Sequence, residues 1–140
     1  MISFTLPGIP KPLKRHRSTK GGHMYDPSLR DKQLMWLQIA KYRPKLPFAG
    51  DIFIKMKFYL PHPKNRYKTK GGKPTKVLKD RYKDMIYHSY KPDIDNLVKM
   101  ICDTIQGKGK MICDDSQICI LQAEKLYGEP RTEVTIQEIH

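Results

Sequence analysis

The stretch Ile52-Phe53-Ile54-Lys55-Met56-Lys57-Phe58-Tyr59-Leu60 alternates with a period of two. Ile52, Ile54, Met56, Phe58 and Leu60 fall on one face, and Phe53, Lys55, Lys57 and Tyr59 on the other. That period belongs to a strand with one face packed on a core, and Pro61 marks its end. Toward the N-terminus, Ile2, Phe4 and Leu6 alternate with Ser3 and Thr5 before Pro7, Gly8 and Pro10, which predicts a short first strand. Between the two, Asp26-Pro27 offers an N-cap and an N1 proline. A helix is predicted from there to about Arg43, with Met35, Ile39 and Tyr42 on one face and Leu34, Trp36 and Leu37 widening it.

Toward the C-terminus the composition shifts. Between His62 and Lys91, ten lysines and arginines face only Asp80 and Asp84, around Gly71-Gly72 and Pro74, and the stretch reads as a long, mobile, basic loop at about 62–91. After Pro92, Leu97, Met100, Ile101, Thr104 and Ile105 recur at helical spacing. Asp93 is placed to cap this helix and Gly107 to stop it, giving a second helix from about Ile94 to Gln106. Ile118 to Leu126 is apolar on both faces for most of its length, as a central strand is, and Gly128-Glu129-Pro130 turns it toward Glu133–Ile139 in a closing hairpin. The order β-α-β-α-β-β predicts an α+β two-layer sandwich, a mixed β-sheet with helices on one face.

A length of 140 residues suits a single domain spanning 1–140. The composition, 39% hydrophobic and 9% aromatic, is that of a globular chain rather than a disordered one. Lysine and arginine total 27 against 14 acids, a formal charge of +13. So large an excess opposes compaction unless a polyanion is expected, which makes nucleic acid the leading partner over a merely solvated basic surface. The three cysteines form no Cys-x-x-Cys pair, and the five histidines have no ligand spacing, so disulfide frameworks, zinc sites and histidine-based nuclease chemistry are disfavoured. A reducing, cytoplasmic setting is expected, with no membrane span and no signal segment.

The chemistry concentrates in Lys91-Pro92-Asp93-Ile94-Asp95-Asn96-Leu97-Val98-Lys99. Two acids at a helix start are favoured by the macrodipole, and capping explains one of them better than it explains two. A second acidic pair, Asp114-Asp115, precedes Ser116-Gln117 at the entry to a strand expected beside the second helix. Carboxylates crowded at one edge raise one another's pKa unless a cation sits among them. Oxygen ligands without cysteine or histidine clusters favour Mg²⁺, with Mn²⁺ as a substitute, over Zn²⁺. Asp95, Lys99 and Asp103 share a helix face at i, i+4 and i+8, so Lys99 either reaches a reacting phosphate or makes an ordinary ion pair. Asp103 reads as structural.

Both blocks, Lys91 to Lys99 and Asp114 to Gln117, resemble the signature of RusA-family Holliday junction resolvases, and the proline- and arginine-rich segment Pro10–Arg17 and the C-terminal strands extend the likeness over nearly the whole chain. The resemblance implies a crossover junction endodeoxyribonuclease active as a homodimer on branched DNA, giving 5′-phosphate products in recombination and repair. It further implies that Asp93, Asp95 and Asp115 bind Mg²⁺, that Lys99 is catalytic, and that Asn96, Asp114 and Gln117 support them. DNA contacts are expected from Lys14, Arg15, Arg17, Lys64, Arg66, Lys68, Lys70, Lys73 and Lys76. The rivals are a non-catalytic basic DNA-binding protein and a nuclease for flaps, forks or RNA.

Overall fold

A computed structural model of the chain describes residues 1–15 and 17–139, without the side chain of Arg17. Its main sheet has four strands: β1 (Ile2–Pro7), β4 (Asp51–Leu60), β7 (Ile118–Tyr127) and β8 (Arg131–Ile139), in the spatial order β1-β8-β4-β7. Strand β4 carries the alternation on which the fold was read: Ile52, Ile54, Met56, Phe58 and Leu60 are all buried, and the residues between them are half-buried. It pairs antiparallel with β8 and parallel with β7, while β8 pairs antiparallel with β1. The sheet is therefore mixed, as predicted.

Two helices, α1 (Leu29–Ile39) and α2 (Ile94–Ile105), pack on one face of this sheet. Their Ile39, Leu97, Ile101 and Ile105 join the strand residues in one core. Each such side chain removed from water contributes about 1.5–3 kcal/mol, so α2, with six buried residues in twelve, is fixed chiefly by packing. Between the helices, Lys32 Nζ bridges Asp26 at 2.6 Å and Asp103 at 3.3 Å. Burial pulls the Lys32 pKa down, but the two carboxylates outweigh it and leave the pKa above its ordinary value. Asp103 is thus a packing residue, in line with its structural reading.

Several details differ from the sequence reading. Helix α1 begins at Leu29 rather than at Pro27, because Asp26 Oδ1 accepts from Ser28 N (2.9 Å) in a side-chain turn before the helix starts. Ser28 Oγ accepts from Lys14 N (2.9 Å) and does not cap its own helix. Of the apolar face assigned to α1, Ile39 is buried, but Leu34, Leu37 and Tyr42 are exposed.

The last two strands do not form a hairpin, since β4 lies between them. The second neighbour in a sheet is roughly 10 Å away. The link Gly128–Pro130 spans that gap, and Gly128 N is anchored on Leu60 O at 3.0 Å. Strand β7 is consequently an edge, not a centre, and Ile120 and Leu121 remain about half exposed (48% and 47%).

The basic stretch holds an antiparallel hairpin, β5 (Tyr67–Lys70) and β6 (Lys73–Leu78), where a loop was expected. It turns at Gly71-Gly72, whose φ angles of 62° and 78° are those a two-residue hairpin turn requires. Polar residues on both faces hide the strand period there. A smaller ribbon joins β2 (Arg17–Ser18) to β3 (Met24–Tyr25).

Candidate active site and nucleic-acid interface

The corner before α2 is held from the sheet. Lys125 Nζ, on β7, donates to Tyr90 O (2.5 Å) and Pro92 O (2.7 Å), and the Lys91–Pro92 peptide bond is cis. Asp93 occupies the N-cap position with extended backbone, yet its carboxylate does not cap, contrary to the sequence reading; it pairs with Lys91 Nζ at 3.0 and 3.2 Å. Asp95, in the first turn, is exposed and accepts from Asn96 N (2.9 Å). Lys99, one turn on, is exposed, and among the described residues it forms no ion pair. The i,i+4 pairs considered for it are not made.

The second acidic pair divides its work. Asp114 caps the short 3-10 turn Asp115–Gln117: its side chain accepts from Ser116 N (3.1 Å), a bond that holds the carboxyl below its ordinary pKa. Gln117 closes the capping box, with Oε1 accepting from Cys113 N and Asp114 N and Nε2 donating to Phe48 O and Gly50 O. Asp115 is oriented through its backbone, which donates to Gln106 Oε1 (2.8 Å) from the end of α2. Among the described residues its carboxylate is in no ion pair.

Asp95, Lys99 and Asp115 share one open hollow of about 430 Å³ between α2 and β7, lined otherwise by Ile94, Val98, Cys102, Leu121 and Ala123. Asp93 does not line it. Among the described residues no three His, Cys, Asp or Glu side chains are gathered closely enough to form a ready-made metal cage. The donors nevertheless suit a hard cation that takes one or two carboxylates and fills its remaining positions with water and phosphate oxygens. Burial, then Asp115 and Asp103, push the Cys102 thiol up to about 11, so it stays protonated at neutral pH and offers no thiolate.

The expected DNA contacts are distributed in two places. Leu13 N donates to Asn96 O (2.9 Å) and Lys14 N to Ser28 Oγ, which pins the segment bearing Lys14 and Arg15 between the start of α2 and the start of α1. Arg17, expected to contact DNA, has a side chain outside the described residues, as do His16 and His140. Lys64, Lys68, Lys70, Lys73 and Lys76 are exposed on or beside the β5–β6 hairpin. Arg66 differs from them. Its Nη1 reaches Tyr127 Oη (3.0 Å) and His62 Nδ1 (3.3 Å), and its guanidinium lies 4.9 Å from the Tyr82 ring and 5.4 Å from those of Tyr90 and Tyr127.

Sequence reasoning missed Lys125 and Tyr127 altogether. Their positions follow from the parallel pairing of Phe58 with Lys125 and Leu60 with Tyr127, a register that no local pattern announces. His62 stacks on Tyr127 at 3.8 Å, and both His62 and His88 have lowered pKa values, first through burial and then through Arg66 and Lys125 respectively.

Carboxylates and a lysine that forms no ion pair among the described residues thus face one hollow in a chain of charge +13. The chain matches the family described as Endodeoxyribonuclease RusA over residues 7–137 and belongs to that family. It is also 34% identical to the uncharacterized protein YqaN of Bacillus subtilis (strain 168), over 99% of this chain and 96% of that one. The RusA family is one of divalent-metal-dependent endonucleases that resolve Holliday junctions. Among the described residues no helix is long and apolar enough to cross a membrane.

Proposed function

We propose that this chain is a Mg²⁺-dependent endonuclease, with Mn²⁺ as a working substitute, that resolves Holliday junctions by paired symmetric nicks in recombination and repair inside the cell. The observation that carries the reading is the meeting of Asp95, Asp115 and Lys99 on one hollow, each exposed and outside any ion pair among the described residues. Asp95 and Asp115 would hold the cation, and Asp93, beside them at the helix start, is the third ligand candidate. When bound, the ion supplies Lewis-acid polarisation of the scissile phosphate and acidifies a water.

The protein's own residues do the rest. Lys99 places a positive charge against the reacting phosphate, where charge builds in the transition state. Gln117 and Asp114 fix the turn that presents Asp115, and Asn96, through Leu13, brings Lys14 and Arg15 to the same end of α2. Lys64, Lys68, Lys70, Lys73 and Lys76 neutralise backbone phosphates of a DNA arm without reading bases. Cleavage leaves a 5′-phosphate and a 3′-hydroxyl. Two symmetric cuts call for two sites related by a two-fold axis, which a homodimer provides.

The test is cleavage of a synthetic four-way junction beside a flap and a linear duplex of the same sequence, with and without Mg²⁺. Paired nicks confined to the junction and dependent on the metal are expected. Cutting of the flap alone would keep the nuclease and discard the junction, and binding without any cutting would make the chain a non-catalytic DNA-binding protein.

A further inference from the structure

We propose that Arg66 is a positioning residue that couples the β5–β6 hairpin to the segment leading into the catalytic corner, not one of the lysine-like phosphate contacts around it; the inference rests on the junction-cutting reading above. Arg66 stands at the foot of the hairpin. Its carbonyl accepts from Lys79 N (2.9 Å) and its own N–H bonds to Pro63 O (2.9 Å), which closes the hairpin at its base. Its side chain points the other way, to the end of β7, where Tyr127 Oη and His62 Nδ1 take its donors. A guanidinium is always protonated and has no acceptor, so His62 must accept at Nδ1 as a neutral ring. The lowered pKa of His62 agrees with that assignment.

The link continues inward. The Tyr90 ring lies against the Arg66 guanidinium, and the Tyr90 carbonyl is one of the two that Lys125 grips, the other being Pro92 immediately before Asp93. Hairpin foot, aromatic cluster, Lys125 and the N-cap of α2 thus form one contiguous set of contacts. Load applied by a DNA arm to the exposed lysines of the hairpin passes to the 90–93 segment through these contacts. A phosphate-binding arginine has its fork free for the ligand; here Nη1 is taken by Tyr127 and His62, and the guanidinium lies beside the Tyr82, Tyr90 and Tyr127 rings.

The two roles separate experimentally. A residue that neutralises one phosphate makes the dependence of log K on log salt shallower by about 0.9 when it is removed, whereas a positioning residue leaves the slope alone and slows the chemistry. Arg66→Met keeps the alkyl stem and removes the donors; Tyr127→Phe removes only the acceptor. Junction binding without metal would be followed across salt, and single-turnover cleavage at saturating DNA alongside, with Lys70→Ala/Lys73→Ala setting the scale of the slope at about two contacts.

We expect Arg66→Met to keep the wild-type slope and cut saturated cleavage by about tenfold or more, as small misplacements from a change far from the chemistry do. Tyr127→Phe should act in the same direction and less strongly. A slope shallower by about one, with saturated cleavage intact, would overturn the proposal and make Arg66 a phosphate contact. Should Arg66→Met fail to fold, Tyr127→Phe decides on the same two readouts. A wild-type chain that binds junctions without cutting them refutes the nuclease reading first, and the coupling with it.

Discussion

At the mouth of the α2–β7 hollow, Asp95, Lys99 and Asp115 are exposed and, among the described residues, outside any ion pair; at the hairpin foot the Arg66 guanidinium bonds Tyr127 and His62 through Nη1 and lies beside three tyrosine rings. The contrast repeats within one dipeptide. Asp114 is used up in capping its turn, while the Asp115 carboxylate beside it is left open. Asp95 accepts only from Asn96 N among the described residues, and leaving it out of an ion pair with Lys99 forgoes only tenths of a kcal/mol at a helix surface. Charges that the fold satisfies are architecture, and charges it leaves unsatisfied at small cost are available to a ligand.

The sharpest way to break this contrast is to neutralise each member of the acidic pair. Asp115→Asn should abolish junction cleavage while shifting stability by no more than about 0.5 kcal/mol, as for an exposed side chain away from packing. Asp114→Ala should lower cleavage far less than Asp115→Asn does and lose about 1 kcal/mol, the usual cost of a missing N-cap. Paired cleavage assays and urea melts read both, and equal cleavage losses would erase the distinction.

Gln117→Ala extends the architectural side. Its amide serves two N–H groups and two carbonyls, and at about 1 kcal/mol net per bond, with part of the loss recovered by water, roughly 2 kcal/mol of stability should go. A urea midpoint equal to that of the wild type would show that the turn holds itself.

The smallest effect expected is on pH dependence. His62 and His88 have folded pKa values below the ordinary 6.5, so the fold favours their neutral rings. Their contribution is present above 6.5 and is lost as pH falls through the depressed folded values, because the unfolded chain takes up protons first. Melting temperature should therefore decline between pH 7.5 and pH 5.5, and decline less in His88→Gln. Parallel declines in the two proteins would remove these histidines from the account.

Much of this was legible in the chain itself. Strand β4 and helix α2 declare themselves because each has one uniformly apolar face, and Asp95, Lys99 and Asp115, drawn from two separate sequence blocks, meet on one hollow. Asp93 does not line that hollow; its carboxylate pairs with Lys91, two residues earlier. The place of β7 was misread because apolar residues on both faces look the same in a central strand and in an edge whose Ile120 and Leu121 stay half exposed. The hairpin was missed because its lysines give no period to read, and Arg66 looks from sequence like any other member of a basic run.

Asp95 and Asp115 together are the proposed seat of a divalent cation. Calorimetric titration of the DNA-free protein with Mn²⁺ tests it most directly, in the wild type, Asp95→Asn and Asp114→Ala. A site is expected in the wild type whose affinity falls by about tenfold or more in Asp95→Asn, each tenfold being about 1.4 kcal/mol, with Asp114→Ala close to the wild type. Mn²⁺ binding that is unchanged in Asp95→Asn would contradict it.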